Sequence, residues 1–366
     1  MDEAKVKSTG IGQVAEGTLQ AADYRFSIAP MLDWTDRHCR YFHRQLSQHA
    51  RLYTEMITTS ALIHGDRQRL LAFDESEHPL GLQLGGSDPA ELARVARMSR
   101  SWGYDEINLN CGCPSDRVRH GSFGACLMAE PELVARCVTA LRAAVDCPVT
   151  VKHRLGIDRI EEYSFVRDFV GTVARGGCEV FFVHARNVWL KGLNPRENRE
   201  VPPLRYEYAR RLKQDFPALT IVLNGGLRCH AQIELERSGV DGVMIGRAAY
   251  EDPWLLAEVD ARHFPERPAR SAPTRELVAE RMRAYALAQR AKGEPLRAIV
   301  RHMLGLFNGL PGARSWRRTL SDANLLLDAG PELIDAALAA REAAAQRSAG
   351  ALAEALAERE AERIIG

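Results

Sequence analysis

Eight short β-rich runs, amphipathic segments between them and polar residues at the ends of the runs predict an α/β fold: a TIM (β/α)8 barrel followed by an all-helical C-terminal domain. The runs are FSIAPM (26–31), RLYTEM (51–56), LGLQLGG (80–86), EINLNCGC (106–113), PVTVKHR (148–154), EVFFVHAR (179–186), TIVLNGG (220–226) and GVMIGRA (242–248). Between them, stretches such as DPAELARVARMSRSWG and PELVARCVTALRAAV repeat apolar residues at helical spacing, and their Asp-Pro and Glu-Pro starts suit N-caps. Eight β/α units over roughly 240 residues match a barrel in count and length. A doubly wound sheet would carry fewer strands and a single glycine-rich first turn. The barrel is expected over 23–265, after an N-terminal extension, 1–22, read as disordered. Pro, Arg and Ser in ERPARSAPT mark a linker at 266–274. RELVAERMRAYALAQRAKG, LRAIVRHMLGLFNGL and the WRR-containing segment read as helices of a domain over 275–342, and an Ala/Glu-rich helical tail over 343–366 follows, expected to fray.

Composition bounds the function classes. With 366 residues, 46% hydrophobic and 27% charged, the chain can bury a large core. No apolar run resembles a signal peptide or approaches a membrane span, so a cytoplasmic protein without a membrane partner is expected. Eight unevenly spaced cysteines in such a chain read as reduced thiols. The net charge of +1 conceals an asymmetry. Pro273 to Arg318 holds ten Arg and Lys against three Glu, a net +7, whereas Thr319 to Gly366 holds four Arg against nine Asp and Glu, a net −5. The basic stretch, with Trp316 among Arg314, Arg317 and Arg318, suggests a nucleic-acid face; the alternative is a solvated charged surface.

In a barrel of this type chemistry belongs at the C-terminal ends of the strands. The polar residues fall there: Gln83, Asn108, Asn110, Cys113, Lys152, Arg154, His184, Arg186, Asn224, Gly225, Gly226, Gly246 and Arg247. Any one of them alone would more often cap a turn, but their recurrence on successive strands favours a site. Glycines after the seventh and eighth runs can approach phosphate oxygens without a Cβ in the way, and Arg247 adds a cation. Lys152, His184 and Gln83 offer donors for the pyrimidine edge of an isoalloxazine, making FMN the expected cofactor. Cys111 and Cys113 lack clustered partner ligands, so no metal is expected.

The ordered set APM, LYTEM, QLGG, DEINLNCGCPS, GSFGACLM, VKHRLG, VHAR, ENREVPPL, NGG and DGVMIGRAAYEDP, from Phe26 to Arg318, resembles the tRNA-dihydrouridine synthase family, and within it the DusA subfamily. The resemblance implies FMN at the top of the barrel, NADPH as electron donor, and tRNA clamped between the barrel and the helical domain. It implies reduction of D-loop uridines U20 and U20a to 5,6-dihydrouridine. Matched to the family's motifs, Pro30, Met31 and Leu32 back the flavin; Gln83, Lys152 and His184 contact its ring and ribityl chain; Asn224, Gly225, Gly226, Gly246 and Arg247 form the phosphate end. Asn110 lies beside the target uridine. Arg196, Glu197, Arg199, Arg314 and Arg317 match positions that set the orientation of tRNA. Cys113 matches the residue that gives a proton to C5 while hydride goes to C6 of the base. A free thiol, with a pKa of about 8.5, is mostly protonated at neutral pH and fit for that task.

A stacked uridine must be extruded to reach a barrel mouth, and Asn108, Asn110 and Arg154 are expected to hold its Watson-Crick edge. Gly121 and Gly124 suit a loop that closes over the base. Cys111 stands where the family more often has an aliphatic residue and reads as a small buried hydrophobe. A monomer is expected. Two other functions compete: a dehydrogenase acting on a free pyrimidine, which would not require a basic helical domain, and a tRNA-binding folding factor, which would not require Cys113, Lys152 and His184.

Overall fold

The computed structural model describes residues 21–115, 123–268 and 272–365. Gly121, most of the N-terminal extension and the middle of the linker lie outside the described residues. Among the described residues nine strands form one parallel sheet: β1 (Phe26–Ile28), β2 (Leu52–Tyr53), β3 (Ile57–Thr58), β4 (Leu80–Gly85), β5 (Glu106–Cys111), β6 (Val149–Arg154), β7 (Val180–His184), β8 (Thr220–Asn224) and β9 (Gly242–Ile245). The order is β1-β9-β8-β7-β6-β5-β4-β2, and β3 also pairs with β4. The ring closes at a parallel bridge between Ser27 and Arg51, where the Ile28 N–H donates to the Arg51 carbonyl at 2.9 Å. The fold is therefore a closed barrel of eight staves, the second broken into β2 and β3.

Besides that break, three features differ from the sequence expectation. β1 stops at Ile28 rather than at Met31. Pro30 lacks a ladder donor, and the Met31 carbonyl accepts the N–H groups of Trp34 and Thr35, so the chain turns. Asp88 caps the helix Pro89–Ser99 by accepting from the Glu91 N–H at 2.8 Å, but Glu130 makes no such bond to the helix Pro131–Arg142. LRAIVRHMLGLFNGL is helical only over Leu296–Val300. Gly309 and Gly312 beyond it take φ of +78° and +79°, a region open to glycine, and the chain runs as turns until the helix Ala313–Ser321.

Strand alternation sorts the side chains into two cores. Tyr24, Ala29, Tyr53, Val180, Phe182, Val222 and Met244 fill the barrel, while their neighbours Phe181, Val183, Leu223 and Val243 belong to the larger core with the surrounding helices. An ion pair is buried in the barrel floor. Glu106, fully buried, accepts from Tyr53 Oη at 3.0 Å, lies 3.3 Å from Arg51 Nη1, and is hydrogen-bonded by Thr150. Burial raises its pKa and Arg51 opposes the rise.

After the barrel come the helix Arg275–Arg290, Leu296–Val300, Ala313–Ser321 and a long helix, Glu332–Ile365, which passes through position 343 without a break. Asp36 joins these helices to the barrel. It caps the helix Arg37–Leu46 through the N–H groups of His38 and Cys39, and it also takes Arg301 Nη2 at 2.6 Å and His302 Nε2 at 3.0 Å. No helix among the described residues is long and apolar enough to cross a membrane.

Candidate active site

The strands deliver their last polar residues to one mouth. Asn110 is level with Lys152, and Arg154 is level with His184, Asn224 and Met244 across β6 to β9. Because the side-chain period is two, Asn108 and Asn110 face the same way, and Leu109 and Cys111, which alternate with them, face outward. Cys111 is fully buried in the outer apolar core, where burial pushes its thiol well above the ordinary range. It behaves as a small hydrophobe.

Cys113 lies just past the end of β5, partly exposed. Its turn is held from both sides. Asn110 Oδ1 accepts the N–H groups of Gly112 and Cys113, each at 3.0 Å, and the Cys113 carbonyl accepts from Ala125 N–H at 3.0 Å. The other end of the Asn110 amide donates to Gln83 Oε1 at 2.8 Å. Gln83 Nε2 donates to Asn108 Oδ1 at 2.7 Å, and Asn108 Nδ2 to Thr150 Oγ1 at 2.7 Å. A polar chain therefore runs from the barrel floor at Glu106 to the thiol turn. Gln83 and Asn108, expected at a ligand, are each 1% exposed and pair with one another. An Asn110→Ala variant removes the acceptor for two N–H groups and frees the Cys113 turn. Turnover is expected to fall by about ten- to a hundred-fold with cofactor content kept, because small displacements of a reacting group cost about this much; stopped-flow assay and cofactor stoichiometry check both halves.

Arg154 is 3% exposed and serves as a strut. Nε donates to the Gly112 carbonyl at 3.1 Å, and Nη1 to the carbonyls of Asn187 at 3.0 Å and Asn198 at 2.7 Å. It thus links the thiol turn to the loop after β7, where the sequence reading had it reach a base. The loop carries Arg196, Glu197 and Arg199, all exposed. Glu197 closes a turn by accepting from the Asn194 N–H at 2.8 Å. Asn198, to which the sequence reading gave no role, is fully buried and binds both the N–H and the carbonyl of Trp189.

The side chains of Lys152 and His184 make no hydrogen bond or ion pair among the described residues. Burial, and then the like charge of Arg154, bring Lys152 down to about 7. Burial and the cations Arg154, Lys152, Arg186 and Arg199 keep His184 neutral. Two donor groups aimed into the mouth without protein acceptors are what a ligand with anionic or carbonyl edges requires. Between about 7 and 10.5 the native chain binds fewer protons at Lys152 than the unfolded chain, so this group makes stability rise with pH across that window. The penalty is complete below about pH 7. In cofactor-free protein, Lys152→Met is expected to gain stability over wild type at pH 7 and to lose that advantage toward pH 10, as read by denaturant titration.

The opposite rim is glycine-lined. Gly225 and Gly226 have φ of +119° and +69°, and a Cβ on Gly225 would come within 2.9 Å of His184 Cδ2. Gly246 faces Met31, whose Sδ would lie 3.6 Å from a Cβ there. Beside Met31, Leu32 is 60% exposed, an apolar side chain at the mouth able to back a flat ring. Asn224 turns its amide to the Met244 carbonyl at 2.7 Å, and Arg247 pairs with Glu200 at 2.7 Å. On the helical side, Arg314 and Arg317 are exposed along Ala313–Ser321, with Arg317 donating to Asn308. Trp316 is fully buried beneath them, so it is core and not part of a nucleic-acid face.

A family model described as dihydrouridine synthase matches residues 27–344, which include every strand from β2 to β9 and all the site residues above. The chain belongs to the dihydrouridine synthase family. Among its relatives in that family, the tRNA-dihydrouridine(20/20a) synthase of Synechocystis sp. is 56% identical over 316 residues, spanning 86% of this chain and 94% of that protein. The tRNA-dihydrouridine(20/20a) synthase of Vibrio cholerae is 55% identical over 86% of this chain and 96% of its own length. The protein of the same name from Xanthomonas axonopodis pv. citri is 54% identical over 87% and 94%. The dihydrouridine synthase match ends inside the helix Glu332–Ile365, whose last residues extend beyond it.

Proposed function

We propose that this protein is a cytoplasmic tRNA-dihydrouridine synthase that reduces U20 and U20a of tRNA, with FMN as its cofactor and NADPH as electron donor. The observation that carries the reading is the meeting, at one barrel mouth, of a partly exposed Cys113 with Lys152 and His184, whose side chains have no partner among the described residues. The names of relatives more than half identical over most of the chain support the substrate. The residues fit a flavin: Lys152 and His184 have free donors for its polar edge, Met31 and Leu32 offer an apolar backing, and Gly225, Gly226, Gly246 and Arg247 leave room and charge for a phosphate. When bound, FMN supplies a hydride to C6 of the uracil.

The protein's part is the proton. Addition of hydride at C6 breaks the C5–C6 double bond and leaves an electron pair at C5, conjugated to the O4 carbonyl. The Cys113 S–H bond then breaks, its proton forms the C5–H bond, and a thiolate remains. Lys152, Arg154 and Arg199 lie within electrostatic reach of that sulfur. Ser115 Oγ, 3.5 Å from Sγ, is placed to donate to it until solvent restores the proton. The Asn110 amide fixes the turn, so that the acid stays aligned. An extruded base would meet these groups, while Arg196, Arg199, Arg314 and Arg317 meet tRNA phosphates.

The test is to incubate unmodified tRNA with the protein and NADPH and map dihydrouridine by mass spectrometry. Product confined to U20 and U20a is expected. Product at other positions would overturn the site assignment, and no product would overturn the activity.

A further inference from the structure

Glu200 occupies an unusual place for an acid. The loop after β7 carries Arg196 and Arg199 and is fastened to the barrel by Arg154 on one side, through the Asn198 carbonyl at 2.7 Å. On the other side it is fastened at the phosphate rim. Arg247 Nη1 donates to Glu200 Oε1 at 2.7 Å, Arg247 Nη2 lies 3.4 Å from the Arg199 carbonyl, and Arg186 Nη1 donates to the Glu200 carbonyl at 3.2 Å. Arg196 Nε is 3.9 Å from the same carboxylate oxygen. Arg247 directly follows Gly246 at the end of β9. The cation expected to meet a phosphate is thus already paired with a carboxylate, and that carboxylate belongs to the loop expected to meet tRNA.

We propose that Glu200 is a placeholder for the cofactor's phosphate on Arg247, so that loading of the cofactor releases one fastening of the loop that carries Arg196 and Arg199. The inference rests on the FMN reading given above. A phosphate monoester and a carboxylate compete for the same guanidinium, and the phosphate brings more charge and three acceptor oxygens. The Glu200 side chain is 44% exposed, so its pair with Arg247 is weak enough to yield. Once Arg247 turns to phosphate, the Glu200 carboxylate keeps Arg196 and Arg199 as neighbouring cations without a close ion pair to either. By linkage, a loop drawn to tRNA would in turn favour the cofactor.

Flavin fluorescence titration of the cofactor-free full-length chain tests this. Glu200→Gln removes the competing charge from an exposed position and is expected to tighten FMN binding about two- to five-fold, the range of an exposed ion pair. Combined with Arg247→Ala, the same substitution is expected to change nothing. Unchanged or weaker FMN binding by E200Q, or an equal gain without Arg247, would overturn the proposal. Trypsin cleavage after Arg196 and Arg199 should be faster in FMN-loaded than in FMN-free wild type and equal in the two states of E200Q. Equal rates in wild type would overturn the release of the loop. A wild-type chain that takes up no FMN overturns the function proposed above together with this inference, whereas FMN binding indifferent to Glu200 overturns the inference alone.

Discussion

Replacing Cys113 by alanine is expected to lower dihydrouridine formation by about a hundred- to ten-thousand-fold, the usual contribution of a positioned general acid. The substitution removes one sulfur from a partly exposed turn whose backbone is held by Asn110 Oδ1 and by Ala125 N–H. Neither restraint involves the thiol. The fold and the Lys152 and His184 side of the mouth should therefore be intact, and bound flavin should equal that of wild type. Hydride transfer would still generate charge on the base, but the acid positioned to discharge it would be gone. Lys152 stands on the strand beside Asn110, with a pKa of about 7, and is the nearest substitute acid. Residual activity in the variant should therefore fall as pH rises through about 7, a profile that wild type should not share. Single-turnover assays over a pH series, with flavin absorbance as the control, measure both. A Cys113→Ala protein of normal activity would remove the thiol from the mechanism.

The second large effect is structural. Trp316→Ala should destabilise the C-terminal helices by about 3–5 kcal/mol, the cost of deleting a buried indole. Trp316 is fully buried, its ring meets Phe307 edge-on at 4.8 Å between centroids, and its Nε1–H donates to the Met303 carbonyl at 2.9 Å. Truncation opens a cavity and removes one of the two hydrogen bonds that the Met303 carbonyl accepts, leaving the one from the Leu306 N–H at 3.0 Å. Arg314→Ala and Arg317→Ala, on the exposed face of the same helix, should leave stability within about 0.5 kcal/mol of wild type. Each should instead weaken tRNA binding and lessen its salt dependence by about one unit of slope if it meets a phosphate. Denaturant midpoints and tRNA affinity at several salt concentrations separate the two classes. Equal behaviour of all three variants would mean that the helix has no face committed to core.

Trp316 also shows where sequence reading reaches its limit. An aromatic residue among arginines has the composition of an RNA-binding surface, but Ala313, Trp316 and Leu320 recur at helical spacing and form the buried stripe. Periodicity outweighed composition. The staves of the barrel were legible because β-rich runs alternate with helical ones and because the runs from Gln83 onward carry polar residues toward the mouth. The break between β2 and β3 was not, since RLYTEM looks like one strand and its pairing with β4 depends on a neighbour distant in sequence. Residue types at the mouth were legible and their commitments were not. Gln83, Asn108, Asn110 and Arg154 all lie where expected, but their hydrogen bonds go mainly to one another and to backbone carbonyls between 25 and 44 positions away. Glu200 and Asn198 sit within a recognised motif, and only the approach of Arg247, Arg154 and Trp189 gives them a role.

The most direct measurement is the visible absorption spectrum of the purified protein, taken alone, then with NADPH, then after addition of unmodified tRNA. A flavin spectrum that NADPH bleaches and tRNA restores, with dihydrouridine appearing in proportion, is the expected result. A colourless protein that still binds tRNA would contradict the redox assignment and leave only the basic helical surface with a function.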